Sequence, residues 1–188
     1  MRRAGSGAER LAEESKNARF EDLVLPHLDA AHNLARWLVR DDHDAADVVQ
    51  DATVKALRFF GGFRGGDARA WLLTIVRNAC YTWLRRARPS DLAVPFDDEL
   101  HDDHTKASNP ETQALRQASG RSIQQALEDL PVGLRETIVL RELEGLSYAE
   151  IADVAAIPIG TVMSRLSRAR RRLQQALGEP SGRKEVSG

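Results

Sequence analysis

Hydrophobic residues return every three or four positions along most of this chain, and no run alternates in the manner of a half-buried strand. Leu28, Ala31, Ala35 and Leu38 share one side of a helix predicted from about Pro26 to Arg40, with the proline in the first turn, where its missing N–H is no loss. Asp41-Asp42-His43 interrupts the pattern. A second helix is predicted from about Asp44 to Phe60, burying Ala45, Val48, Val49, Ala52, Ala56 and Phe59. Gly61-Gly62-Phe63-Arg64-Gly65-Gly66 ends it, since four glycines in six residues lose too much backbone entropy in a helix. A third begins at Asp67, a suitable N-cap, and runs to about Arg86, with Leu72, Ile75, Val76, Ala79, Cys80 and Trp83 as its core stripe.

The pattern then lapses from Arg88 to Ala118. Pro89, Pro95 and Pro110 punctuate this stretch, and seven acidic residues face three basic ones, which leaves little apolar surface to offset the entropy of ordering it. Periodicity resumes near Arg121 with Ile123, Leu127 and Leu130. Pro131 opens the next helix, where Leu134, Ile138 and Leu140 alternate with Arg135, Glu136 and Arg141 until Gly145. Ser147 and Glu150 then spell a capping box, in which hydroxyl and carboxylate each satisfy an orphan amide at a helix start. Ala155-Ala156-Ile157-Pro158 forces a turn, and a second helix starts near Ile159 to Thr161, with Val162, Leu166, Ala169 and Leu173 facing inward. Two short helices joined by such a turn make a helix-turn-helix. The expected fold is all-α: two small helical domains joined by a flexible acidic linker. The expected boundaries are a mobile N-terminal tail (1–19), a first domain (20–87), the linker (88–118), the helix-turn-helix domain (119–177) and a C-terminal tail (178–188).

Composition narrows the function by exclusion. The 188 residues are 42% hydrophobic, with a net charge of −1. That total hides a segregation of acids and bases along the chain, so a basic patch can still bind nucleic acid. The single cysteine, Cys80, sits in an apolar helical stripe and reads as a buried structural thiol. The start lacks an apolar h-region and no stretch approaches 18 uncharged apolar residues, so a cytoplasmic protein without membrane insertion is expected. His101 and His104 have a ligand-like spacing, but an acidic, solvated linker without cysteine is a poor metal site. No metal and no cofactor is expected. There is no phosphate-binding Gly-Lys-Ser/Thr loop and no catalytic pairing of the scattered histidines, so the chain does not read as an enzyme.

Three faces carry recognisable chemistry. Between Ile159 and Leu177 stand five arginines and no acid. Ser164, Arg168, Arg171 and Arg172 fall on a face away from the apolar stripe and present groups suited to phosphates and guanine edges. On the third helix Arg77, Tyr81 and Arg85 lie one above another beside Asn78, a combination suited to a DNA strand with unstacked bases. The adjoining loop, with Phe63 and Arg64, has the glycines to pocket a flipped base. On the second helix Asp44, Asp47, Gln50 and Asp51 precede Lys55 and Arg58. That order stabilises a helix through its macrodipole, and acids on a DNA-binding module also suit a protein contact, because they repel phosphate.

Taken together, Asp44-Ala45-Ala46-Asp47-Val48-Val49-Gln50-Asp51-Ala52, then Phe63-Arg64-Gly65-Gly66 followed by Ala70-Trp71-Leu72 and Ile75-Val76-Arg77-Asn78, and the C-terminal helix-turn-helix resemble the extracytoplasmic-function sigma factors of the sigma-70 family. The likeness spans about Phe20 to Leu177. It implies that the first domain is sigma domain two, docking through Asp44, Asp47, Gln50 and Asp51 on the β′ clamp helices of core RNA polymerase. It implies that Phe63, Arg64, Asp67, Arg77, Asn78, Tyr81 and Arg85 handle the −10 element of promoter DNA. Thr161, Met163, Ser164, Arg165, Arg168, Arg171 and Arg172 of domain four would meet the −35 element, with the β flap as a further contact. It also implies an anti-sigma factor as partner. Thr82 and Met163 depart from the family's frequent Asp and basic residue, which unsettles any inference of promoter sequence. A stand-alone regulator, binding duplex DNA without polymerase, is the alternative that the residues alone leave open.

Overall fold

The computed structural model describes residues 5–92 and 123–177, with side chains from residue 9 onward. Expectations about the linker beyond Leu92, the His101/His104 pair, the helical start near Arg121 and the C-terminal tail fall outside the described residues. Among those described, every regular element is helical.

The first helix, α1 (Gly5–Val24), occupies much of the stretch expected as a mobile tail. Its Ala, Glu, Leu, Lys and Arg residues are good helix formers. Only its end is packed: Phe20 and Val24 are buried, whereas Leu11 is 68% exposed. A 3₁₀ turn at Leu25–His27 leads into α2 (Leu28–Val39), which stops at Arg40 in the left-handed region (φ 62°). The next helix, α3 (Asp42–Phe59), begins two residues earlier than predicted. Asp41 caps it by accepting from the amides of His43 (2.9 Å) and Asp44 (3.0 Å), so the Asp41-Asp42-His43 stretch read as a break is the helix start.

One core position also differs. Phe59 is 69% exposed, and the buried ring is Phe60, carried inward by a 3₁₀ turn at Phe60–Gly62. There it meets Phe20 edge-on (5.3 Å), stacks with Phe63 (5.7 Å) and touches Trp71 (6.1 Å). The tighter turn advances the chain by a different angle from an α-helix, which periodicity counting misses.

Gly65 and Gly66, both at positive φ, then turn the chain into α4 (Ala68–Ala87). Asp67 caps it through the amides of Arg69 (2.8 Å) and Ala70 (3.2 Å). Its buried residues include Leu72, Leu73, Val76, Cys80 and Leu84, while Ile75, Ala79 and Trp83 of the predicted stripe are only half-buried. The stripe is displaced because α4 is covered from two sides, by α2 and α3 and also by the C-terminal module. A short α5 (Pro89–Leu92) follows.

The C-terminal module contains α6 (Ile123–Glu128) and α7 (Val132–Ile138), the latter passing through a π turn at Val139–Leu143 to Gly145 (φ 68°). The capping box starts α8 (Tyr148–Ala155): the Ser147 amide donates to Glu150 Oε2 at 2.7 Å and the Glu150 amide to Ser147 Oγ at 3.3 Å. Ala156, left-handed at φ 53°, and Pro158 separate it from α9 (Ile159–Leu177). All of α7 is buried, because α9 covers one side and α2 another, while α8 lies across α4. The modules therefore pack directly on each other.

Phe60→Ala is expected to destabilise the fold by about 3–5 kcal/mol, the usual range for emptying a core phenylalanine site, whereas Phe59→Ala changes it by less than about 0.5 kcal/mol. Urea denaturation of both variants checks this, and equal losses would contradict the assignment of Phe60 to the core.

Candidate nucleic-acid interface

The exposed face of α9 is not quite the one counted from sequence. Tyr148, Met163, Ser167, Arg170, Arg171 and Gln174 line a shallow depression of about 370 Å³. Met163 is 55% exposed, and Arg171 and Arg172 are also open. Thr161, Ser164 and Arg168 are half-buried on its flank, and the Ser164 hydroxyl donates to the Thr161 carbonyl at 3.0 Å. Arg170 is held to Glu142 at 2.7 Å, across the turn that precedes α8. Tyr148, Ser167, Arg170 and Gln174 were not among the predicted residues. A helical wheel centred on Met163 would have found Ser167, Arg170 and Gln174, since positions three or four apart share a face.

Arg165 departs from expectation. It is 9% exposed and points away from that face, its Nη1 lying 3.7 Å from Glu136 Oε2. The buried side of α9 is wider than Val162, Leu166 and Ala169 suggest, and it takes in Arg165.

The α4 face is likewise divided. Asn78 and Arg85 are exposed, and Thr82 links them: its hydroxyl donates to the Asn78 carbonyl (2.8 Å) and receives Arg85 Nη2 (3.4 Å). Arg77 and Tyr81, predicted on an open face, are covered by the other module. Arg77 Nε donates to Glu136 Oε1 at 2.6 Å and Tyr81 Oη to Glu136 Oε2 at 3.0 Å. The Arg77 guanidinium lies 4.3 Å from the centre of the Tyr81 ring. Burial pulls the Arg77 pKa down, yet the charge and hydrogen bond of Glu136 outweigh it, and the net direction is up. Burial, then the Glu136 charge, pushes the Tyr81 hydroxyl well above the usual phenol range.

Glu136 is fully buried. It thus gathers two residues read as −10 contacts and one read as a −35 contact around a single carboxylate. The sequence gives little signal for it, since Glu136 stands beside Arg135 and Thr137 among Leu134, Ile138 and Leu140 and reads as a polar-face residue.

In the loop, Phe63 is half-buried against Phe60 and Trp71 (5.1 Å from the latter), so its ring anchors the loop, while Arg64 and the two positive-φ glycines remain exposed. Asp67 serves α4 as its cap. On α3, Asp47, Gln50 and Asp51 are exposed and Asp44 is half-buried. Val54, 46% exposed, stands among them, an apolar side chain on an otherwise charged face.

Residues 23–89 match the family described as Sigma-70 region 2, and residues 120–173 match Sigma-70, region 4. The RNA polymerase sigma-H factor of Pseudomonas aeruginosa is 39% identical over 176 residues, covering 90% of this chain and 91% of that protein. The chain belongs to the extracytoplasmic-function sigma factors of the sigma-70 family. The ECF RNA polymerase sigma factor SigM of Mycobacterium tuberculosis is 38% identical to this sigma factor over 176 residues, covering 92% of the chain and 85% of SigM. Among solved structures, the sigma factor RpoE in complex with the anti-sigma factor NepR from Bartonella quintana aligns with a TM-score of 0.64 at 30% identity, covering 85% of this chain and 96% of RpoE. CnrH in complex with the cytosolic domain of CnrY aligns at 0.59 and 28% identity, covering 88% and 91%. These relatives are polymerase factors, so the stand-alone regulator is not supported. No described helix of the sigma factor is long and apolar enough to cross a membrane.

Beneath the interface lies Cys80, fully buried, its thiol pushed up to about 12 by burial and then by the Glu136 charge. The folded chain therefore holds a proton that the unfolded chain releases near the ordinary thiol pKa of about 8.5. Stability is full below that value and falls as pH rises towards 12, by up to about 1.4 kcal/mol per pH unit. Urea midpoints measured between about pH 8 and pH 10 are expected to fall less steeply for Cys80→Ala than for the native chain.

Proposed function

We propose that this sigma factor directs core RNA polymerase to promoters by dividing recognition among three faces. The exposed α3 surface of Asp47, Gln50 and Asp51 around Val54, with Asp44 at its edge, docks on the β′ clamp helices. An apolar centre ringed by charge suits a protein contact, while the acids discourage phosphate there. Asn78 and Arg85, with Arg64 and the Gly65-Gly66 turn, hold the opened −10 strand, joined by Arg77 and Tyr81 once these are uncovered, with Phe63 and Asp67 keeping the loop in place. The α9 face of Met163, Arg171 and their neighbours enters the major groove of the −35 element, with Thr161, Ser164, Arg168 and Arg172 at its flanks and the β flap nearby. Arg165 acts there by positioning α9 from its buried side.

The observation that carries the reading is the separation of charge: cationic or amide-bearing faces on α4 and α9, and an acidic face on α3. Duplex opening on this view draws on binding energy, with catalysis left to the polymerase. The two aligned solved structures are complexes with NepR and with the cytosolic domain of CnrY, which supports an anti-sigma factor as a further partner. A cytoplasmic location follows from service to the polymerase.

In vitro transcription from a genomic-fragment library, with core polymerase and with or without the chain, tests the function: specific transcripts are expected only on its addition, and their absence would overturn it. Within that assay, Arg171→Ala is expected to weaken −35 binding by about tenfold and reduce the salt slope by about one, as for loss of one phosphate contact. Asn78→Ala is expected to impair opening, read by permanganate footprinting, while leaving −35 affinity intact. Asp47→Ala with Asp51→Ala is expected to lower affinity for core polymerase without changing which promoters are chosen. Equal loss of all three activities in every variant would refute the division.

A further inference from the structure

The amino-terminal turns of α9 differ in chemistry from the rest of that helix. The side chains they open to solvent are Ile159 (49% exposed), Met163 (55%) and Ser167, one helical turn apart on a single face. Two groups there that could donate to a base are directed inward: the Ser164 hydroxyl to the Thr161 carbonyl at 3.0 Å, and Arg165, 9% exposed, towards Glu136. The exposed arginines, Arg170, Arg171 and Arg172, all lie in the carboxyl-terminal half. A single exposed apolar residue is ordinary on any surface. Two of them on the end that a helix-turn-helix turns towards base edges call for a partner in the groove.

We propose that Ile159 and Met163 read the −35 element through thymine methyl groups, so that this sigma factor selects two thymines close together in that element. The inference rests on the assignment of α9 to the −35 major groove made above. The C5-methyl of thymine is the apolar group that the major groove displays, and side chains without donors find their complement there. Residues four apart are about 6 Å apart along a helix axis, against about 3.4 Å per base step, so the two methyls stand one or two steps from each other. Ile159 is branched at Cβ and holds one position, whereas the unbranched thioether of Met163 adapts to the step it meets. An arginine in place of Met163 would fork to guanine instead. Ser167, on the next turn, adds little choice, since a hydroxyl serves any base edge. The arginines further along supply affinity through phosphates, and the apolar pair supplies the sequence preference.

The test uses holoenzyme formed from core polymerase and the full chain, as wild type, Met163→Ala and Ile159→Ala, on a promoter recovered by the transcription assay above. Deoxyuridine replaces each thymine of the −35 element in turn, on either strand, which removes the C5-methyl and keeps the pairing. In competition binding, wild type is expected to lose about fourfold in affinity at each of two thymines, the factor for one methyl taken out of contact. Met163→Ala is expected to show no loss at one of those two and the full loss at the other, and Ile159→Ala the converse. The salt slope of Met163→Ala is expected to equal that of wild type, because an apolar contact releases no counterion. Met163 is exposed and outside the core, so its variant carries the test even where Ile159→Ala disturbs the helix start. Met163→Arg is expected to change the base selected at its position from thymine to guanine in a library randomised across the −35 element. Wild-type affinity unmoved by every uracil, with the −35 sequence still required, would overturn the thymine reading and leave α9 as the −35 reader. Affinity indifferent to scrambling of the whole −35 element would overturn both.

Discussion

A carboxylate withdrawn completely from water is tolerable only with donors on every side, and Glu136 sets the arrangement of both modules through that requirement. The neighbouring donors of its own helix are committed elsewhere, Arg135 to the Glu128 carbonyl (2.6 Å) and Thr137 to the Gly133 carbonyl (2.7 Å). Arg165 approaches from α9 within the same module, and the remaining two donors, Arg77 and Tyr81, come from α4 of the other. The placement of α7 against α4 is thereby tied to a single charge. Glu144, sharing its oxygens between Asn33 and Arg69, fixes a second point and removes the freedom to pivot about the first.

The helices were legible because each is a regular 3.6-residue pattern bounded by residues with a local reason to stop or start it. Gly65 and Gly66, Gly145, the Asp67 cap and the Ser147–Glu150 box are all decisions taken within four residues, and such decisions are written locally. Departures arose where geometry changes over a turn without changing composition. The 3₁₀ turn at Phe60 moved the core ring by one position, and Asp41, read as an interruption, is a cap whose carboxylate faces forward. The N-terminal helix leaves little trace in hydrophobic periodicity, because it has strong propensity and little amphipathic pattern and contributes little to the core before Phe20.

The site was less legible for a different reason. Arg77 and Arg171 have the same local spelling: an arginine on the polar side of an amphipathic helix. Nothing within a helical turn of either says that one is covered by a second module and the other is not. The information sits elsewhere, in the acid at position 136, and becomes readable only as a long-range complement. Arg135, beside it, is fully buried, with Nη1 on the Glu128 carbonyl at 2.6 Å and a pKa drawn down to about 10 by burial and then by the charge of Arg40. Adjacent residues of opposite sign, both withdrawn from water, mark α7 as the helix that the fold encloses from both modules.

The same chemistry distinguishes this interface from an apolar one. A guanidinium fork that fits a carboxylate also fits a phosphate, and a phenol that donates to Glu136 can equally stack against a base. Exchange of one acceptor for another keeps the number of hydrogen bonds, so the net free energy of the swap is small even though each bond, left unmade, is expensive. An interface sealed by leucines instead would have no such alternative and would open only at the full loss of its buried area. By placing polar donors of the N-terminal module against acceptors of the C-terminal one, the chain uses on itself groups whose chemistry would equally suit a phosphate or a base.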